Sequence, residues 1–274
     1  MKKFDNYIFD LYGTLVDIHT DEDTTYLWNK GAQRLNNDFG TNWIGKALRE
    51  RYLKIADDET MKLKARNGAE FPEILIETVW VRLINEGREI AGSGKSVEGE
   101  KAATTATQAA TTITETSPEL LDFCVWFRET SRSRFKRFDG VLETFEELRR
   151  RGKKIFLLSN AQRAYTEKEL KDADLFDKFD DIFISSDKQI KKPQKEFLQL
   201  LVSKNGLSID KCVMIGNDIF SDVGVAVKNG MNSIFLNTDG YSKKKIDEEI
   251  KKLGIKGSCL VPTIIDDGDI RKIL

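Results

Sequence analysis

From residue 139 onward the chain alternates short apolar runs with segments of helical spacing, and that alternation restricts the fold more than any other feature. Segment 141–151 has helical periodicity and stops at Gly152, after which 154–158 reads as a strand. The pattern then repeats: helix 164–173 and strand 181–185, helix 194–205 and strand 211–215, helix 221–229 and strand 233–236, helix 242–253 and strand 259–261. Short, continuous, largely apolar strands alternating with helices predict an α/β doubly wound parallel sheet covered on both faces.

The N-terminal stretch belongs to the same sheet. Residues 7–9 are strand-like and end in Asp10, with Gly13 and Thr14 breaking the run. Between this strand and residue 137 the character changes. Helices are expected over 22–37 (Tyr26, Trp28, Ala32, Leu35), 43–56, 70–86 and from Pro118 to about Phe135. All four tryptophans (Trp28, Trp43, Trp80, Trp126) lie here, as expected for the core of a helical bundle. Residues 91–117 are rich in Ala, Thr, Gly and Ser without an aromatic, which reads as a long loop. The expected organisation is a core of 1–17 with 137–274, interrupted by a helical insertion at 18–136.

Composition removes several function classes. The 44 basic and 45 acidic residues give a net charge of -1, so no broad field recruits nucleic acid or an anionic membrane. Three widely spaced cysteines and one histidine offer neither a disulfide framework nor a zinc site, which suits a reducing cytoplasmic compartment. No apolar run approaches the roughly 20 residues that span a bilayer.

The residues just beyond the strand ends carry the chemistry. Asp10 succeeds the first strand; Ser159 and Asn160 succeed 154–158; Lys191, Lys192 and Pro193 come after 181–185; and Gly216-Asn217-Asp218 with Asp222 comes after 211–215. In an open parallel sheet these strand ends lie on one edge. A carboxylate, a hydroxyl with an amide, an ammonium and a carboxylate pair can together hold an anion beside a divalent cation.

On Asp10-Leu-Tyr-Gly-Thr14, Ser159, Lys192-Pro193 and the cluster 217–222, the chain resembles the haloacid dehalogenase-like (HAD) hydrolases, with a helical cap inserted after the first strand. The resemblance implies that Asp10 is a nucleophile forming a covalent intermediate with a small-molecule substrate. Ser159 and Asn160 would hold the transferred group, and Lys192, or alternatively Lys191, would neutralise charge. Asp10, Asp218, Asp222 and the main-chain carbonyl of Tyr12 would hold Mg²⁺. Two positions depart from the family's phosphatases. Tyr12 stands where a second Asp usually serves as general acid/base, and Tyr titrates near 10. Asn217 stands where an Asp is commoner. Tyr12 resembles the 2-haloacid dehalogenase branch, which uses no metal, whereas Asp218 with Asp222 resembles the Mg²⁺-dependent branch. Phe197 bears on the same choice, since dehalogenases carry a tyrosine there. The expectation is an Mg²⁺-dependent phosphatase, with a dehalogenase, or a catalytically weak binding protein on the same fold, as alternatives. Arg49, Arg51, Trp80 and Arg82 are the insertion's candidates for facing a substrate.

Overall fold

The computed structural model describes residues 4–93, 112–255 and 260–274. Its main sheet has six strands: β1 (Asn6–Phe9), β4 (Lys154–Ser159), β5 (Asp181–Ile184), β6 (Cys212–Gly216), β7 (Asn232–Leu236) and β8 (Thr263–Ile265). The spatial order is β5-β4-β1-β6-β7-β8, with every pairing parallel. Strand β1 is therefore central, and the chain crosses from one side of it to the other between β5 and β6. That reversal creates the crevice in which doubly wound sheets bind ligands.

Alternate side chains of each strand feed two separate cores. Tyr7, Phe9, Leu157 and Ile215 pack on one face with Phe145 and Leu148 of α5 (Val141–Arg150) and Leu170 of α6 (Arg163–Asp172). Ile8, Phe156, Leu158 and Met214 pack on the other with Phe197, Leu198 and Leu201 of α8 (Lys195–Lys204). Burial on both faces is why these strands read as unbroken apolar runs.

The chain divides into two units: residues 1–18, 68–73 and 134–274, and residues 19–67 with 74–133. The second contains α1 (Thr25–Phe39), α2 (Gly45–Asn67), α3 (Ile76–Gly92) and α4 (Pro118–Ser131). Its interior is aromatic. Trp80 is fully buried, with ring centroids 4.8 Å from Phe123, 5.0 Å from Phe127 and 4.9 Å from Tyr52. The Trp43 indole N–H donates to the Leu83 carbonyl at 3.0 Å. No helix among the described residues is long and apolar enough to cross a membrane.

Several elements differ from the sequence expectation. The helix expected over 70–86 begins only at Ile76, because 68–73 leaves helical geometry at left-handed Gly68 and Pro72 bridges Ile190 in the sheet unit. Helix α2 continues to Asn67 rather than stopping near residue 56. After Ser131 the chain leaves helical geometry for β3 (Arg132–Arg137), which pairs with β2 (Val16–Thr20). Both strands are mostly polar, with Val16 and Ile18 in one and only Phe135 in the other, a faint signal beside the apolar runs of the main sheet. The last strand lies at 263–265 instead of 259–261, beyond Pro262, which lacks the N–H a ladder needs. Of the loop expected at 91–117, residues 94–111 lie outside the described residues, as does Cys259.

The aromatic interior of the helical unit leads to a direct expectation. Trp80→Ala should cost about 3–5 kcal/mol, seen as a lower urea midpoint for loss of tryptophan fluorescence. A midpoint unchanged from wild type would mean that Trp80 is not the centre of this core.

Candidate active site

Asp10 leaves β1 in register with its neighbours, its amide donating to Ile215 O at 2.9 Å. This extension fixes the carboxylate over the sheet's edge between β4 and β6. The crossover from β5 to β6 brings in Lys192, whose ammonium lies 2.6 Å from Asp10 Oδ1 and 2.7 Å from Asp222 Oδ1. All three residues are buried, at 2%, 7% and 1% exposure for Lys192, Asp10 and Asp222. One cation thus holds two carboxylates away from water. Lys191 is excluded from this cluster: it is about 40% exposed and its ammonium sits 3.6 Å from Glu73.

Burial alone would lower the Lys192 ammonium's pKa, but the facing Asp10 and Asp222 carboxylates outweigh it and hold the group above its ordinary value. Asp222 moves the other way from a normal carboxyl. Burial, with repulsion from Asp10 added, pushes it up to about 7 in spite of Lys192. Two carboxylates sharing one ammonium leave an excess negative charge in the site.

Local geometry explains two glycines. A Cβ on Gly216 would fall 2.0 Å from Asp222 Oδ2, so only glycine lets β6 end beside that carboxylate. Gly13 has φ +78°, and a Cβ there would meet the Asn217 amide at 2.2 Å. Asp222 Oδ2 accepts from the Asp218 amide at 3.0 Å. The Asp218 side chain takes a different post: it caps the following turn, accepting from Ser221 N at 2.7 Å. Of the acidic pair, Asp222 therefore joins Asp10 and Lys192, and Asp218 supports the turn that carries it.

The remaining predicted residues take varied places. Ser159 ends β4 fully buried, and its hydroxyl has no hydrogen-bond partner among the described residues. Asn160 grips the main chain of Lys192, accepting from its N–H at 2.8 Å and donating to its carbonyl at 3.0 Å. Its amide is thus engaged in holding the lysine rather than presented to a substrate. The Tyr12 hydroxyl points to α6, where it donates to the buried Glu169 carboxylate and lies 3.1 Å from Thr166 Oγ1. Phe197 is buried in the core. In the helical unit, Arg51 pairs with Glu86, Arg82 with Asp58 and Glu59, and Arg49 with Asp23, while Trp80 is core.

Thr14 and Asn217 emerge as participants. Thr14 Oγ1 lies 3.3 Å from Asp10 Oδ2 and 3.2 Å from Asn217 Oδ1, and the Asn217 amide donates to Asp239 at 3.3 Å. Thr238 Oγ1 anchors the turn by donating to the Gly13 carbonyl at 2.5 Å. Among the described residues no group of three His, Cys, Asp or Glu side chains forms a metal cluster. A cation here would draw instead on two carboxylates, Asp10 and Asp222, and the Tyr12 carbonyl. These are hard oxygen donors with unneutralised charge, and in kind they suit Mg²⁺.

Comparison with known proteins identifies the family and the fold. The family model of haloacid dehalogenase-like hydrolases matches residues 4–230. The HAD-hydrolase YfnB of Bacillus subtilis is 26% identical over 121 residues, 42% of this chain and 50% of its own, so the match spans about half the length of that relative. A solved dehalogenase with an intermediate complex covers 100% of this chain and 98% of its own at 15% identity and TM-score 0.53. The L-2-haloacid dehalogenase of Xanthobacter autotrophicus with covalently bound chloropropionic acid covers 98% of both chains at 16% identity and TM-score 0.50. Both structures share the fold.

The Lys192 cluster should behave as a unit. Lys192→Met leaves two buried carboxylates facing each other and should destabilise the chain by about 3–5 kcal/mol. Adding Asp222→Asn should return part of that loss. Chemical denaturation of the single and double variants measures both, and equal midpoints for Lys192→Met and wild type would contradict the pairing.

Proposed function

Because the chain belongs to the haloacid dehalogenase-like hydrolase family, we propose that it hydrolyses a small organic phosphate with Mg²⁺, through a covalent intermediate on Asp10. The observation that supports this reading most is the charge balance around Lys192. A single ammonium, 2.6 and 2.7 Å away, faces two buried carboxylates. A bound Mg²⁺ would neutralise that charge and the oxygens of a phosphate brought against it.

The chain's own residues then have defined tasks. One Asp10 oxygen attacks phosphorus in line with the departing oxygen, and the phosphoryl group is transferred to the carboxylate. Lys192 holds Asp10 in place and opposes charge as the phosphate approaches a buried carboxylate. The Ser159 hydroxyl, with no hydrogen-bond partner among the described residues, would donate to a phosphoryl oxygen. Water then attacks phosphorus, the bond to Asp10 breaks, and the carboxylate is restored. Tyr12 takes no proton-transfer role here, since its hydroxyl is committed to Glu169. The leaving group must depart with little help from an acid, which favours substrates whose leaving oxygen is already acidic.

A second reading rests on that same Tyr12 observation. A halide needs no proton on departure, so displacement from a 2-haloacid by Asp10 would make no demand on position 12.

Release of p-nitrophenol from p-nitrophenyl phosphate, dependent on Mg²⁺ and abolished in Asp10→Asn, is the expected result. Halide release from L-2-chloropropionate without metal would overturn the phosphatase reading in favour of the dehalogenase one. Silence in both assays with folded protein would point to a binding role.

A further inference from the structure

The six residues 68–73 run between α2 and α3 yet belong to the sheet unit. They lie along the segment that carries Lys192. Pro72 forms an antiparallel bridge with Ile190, flanked by Lys191 N donating to Phe71 O at 3.0 Å and Glu73 N donating to Gln189 O at 3.2 Å. Gln194 closes the other side: its Oε1 accepts from both Glu70 N and Phe71 N at 3.1 Å. The Glu73 carboxylate, itself only 13% exposed, accepts from Ser185 Oγ and from Gln162 Nε2, each at 3.1 Å. Phe71 packs edge-on against Phe220, in the turn that presents Asp222, with ring centroids 5.7 Å apart.

The backbone contacts of this segment and the Gln194 bonds converge on residues 189–194. Residues 189–194 leave the sheet as a loop, and a buried lysine on a loop holds its place only where its backbone is held. Asn160 grips Lys192 from the β4 side; the 70–73 segment grips residues on both sides of Lys192, at 189, 191 and 194. We propose that residues 70–73 are a positioning strap, with Gln194 and Glu73 as its side-chain anchors, that fixes the Lys192 ammonium between Asp10 and Asp222. The inference rests on Lys192 being the site lysine. It assigns rate-determining weight to a segment that touches no reacting atom. Misplacement of such a group by about 1 Å can cost around 100-fold in rate.

The test reads the lysine itself as well as turnover. In protein labelled with ¹⁵N-lysine, the Lys192 ammonium should give a slowly exchanging signal, assigned by its loss in Lys192→Met. Gln194→Ala and Glu73→Ala should speed that exchange by about tenfold or more and lower kcat by about 10- to 100-fold, with KM nearly unchanged. Gln194→Glu, which still offers oxygen acceptors to both amides, should restore both readouts. An ammonium exchange unchanged from wild type in both folded alanine variants would overturn the strap, whatever happens to turnover. A fall in kcat that merely tracks the loss of folded protein would overturn it too. If wild type turns over neither phosphate nor haloacid, the reaction assignment fails and ammonium exchange alone decides the strap.

Discussion

The structure depends on one ammonium placed between two carboxylates. Lys192 reaches Asp10 and Asp222 at 2.6 and 2.7 Å in a site almost closed to water. Taking three charges out of water costs several kcal/mol per ion before their attraction returns any of it. That cost is tolerable only where geometry is held tightly. The parallel sheet supplies two of the groups from adjacent strands, β1 and β6, and the crossover at the sheet's reversal supplies the third. Gly216 makes room for Asp222, the Asp218 cap shapes its turn, and Asn160 fixes the lysine's backbone. Each of these is a small polar device whose purpose becomes visible only around the central charge.

The same arrangement bears on the chemistry. Asp10 is oriented by Lys192 and Thr14. Tyr12 is turned to Glu169 on α6, donating its hydroxyl hydrogen to that buried carboxylate. The residue two places after Asp10 therefore serves the packing of α6 on the sheet.

Much of this was legible in the sequence because it is local. The strands announce themselves as apolar runs, and Asp10, Ser159, Lys192 and Asp222 each come soon after one, so sheet topology alone brings them to one edge. The non-local part stayed hidden. Asn160 looks like a substrate ligand until its amide is seen on the Lys192 backbone, 32 residues away. Lys191 and Lys192 are indistinguishable by type, and only the path of the loop decides which is buried. The non-helical course of 68–73 escapes periodicity because Phe71 and Ile74 fall at helical spacing, while the bridge of Pro72 to Ile190 and the bonds to residues 189 and 191 hold the segment away from helix. Glu169 lies on α6 among charged neighbours, with nothing in its surroundings to mark it as Tyr12's partner.

The most direct measurement is turnover of a phosphate ester in ¹⁸O-water, with mass analysis of the Asp10 peptide and of the released phosphate. Water attacking an aspartyl phosphate at phosphorus should place ¹⁸O in the phosphate and none in Asp10, and a quench during turnover should trap the phosphoryl group on Asp10. A phosphoryl adduct on any other residue, or turnover undiminished in Asp10→Asn, would contradict the account.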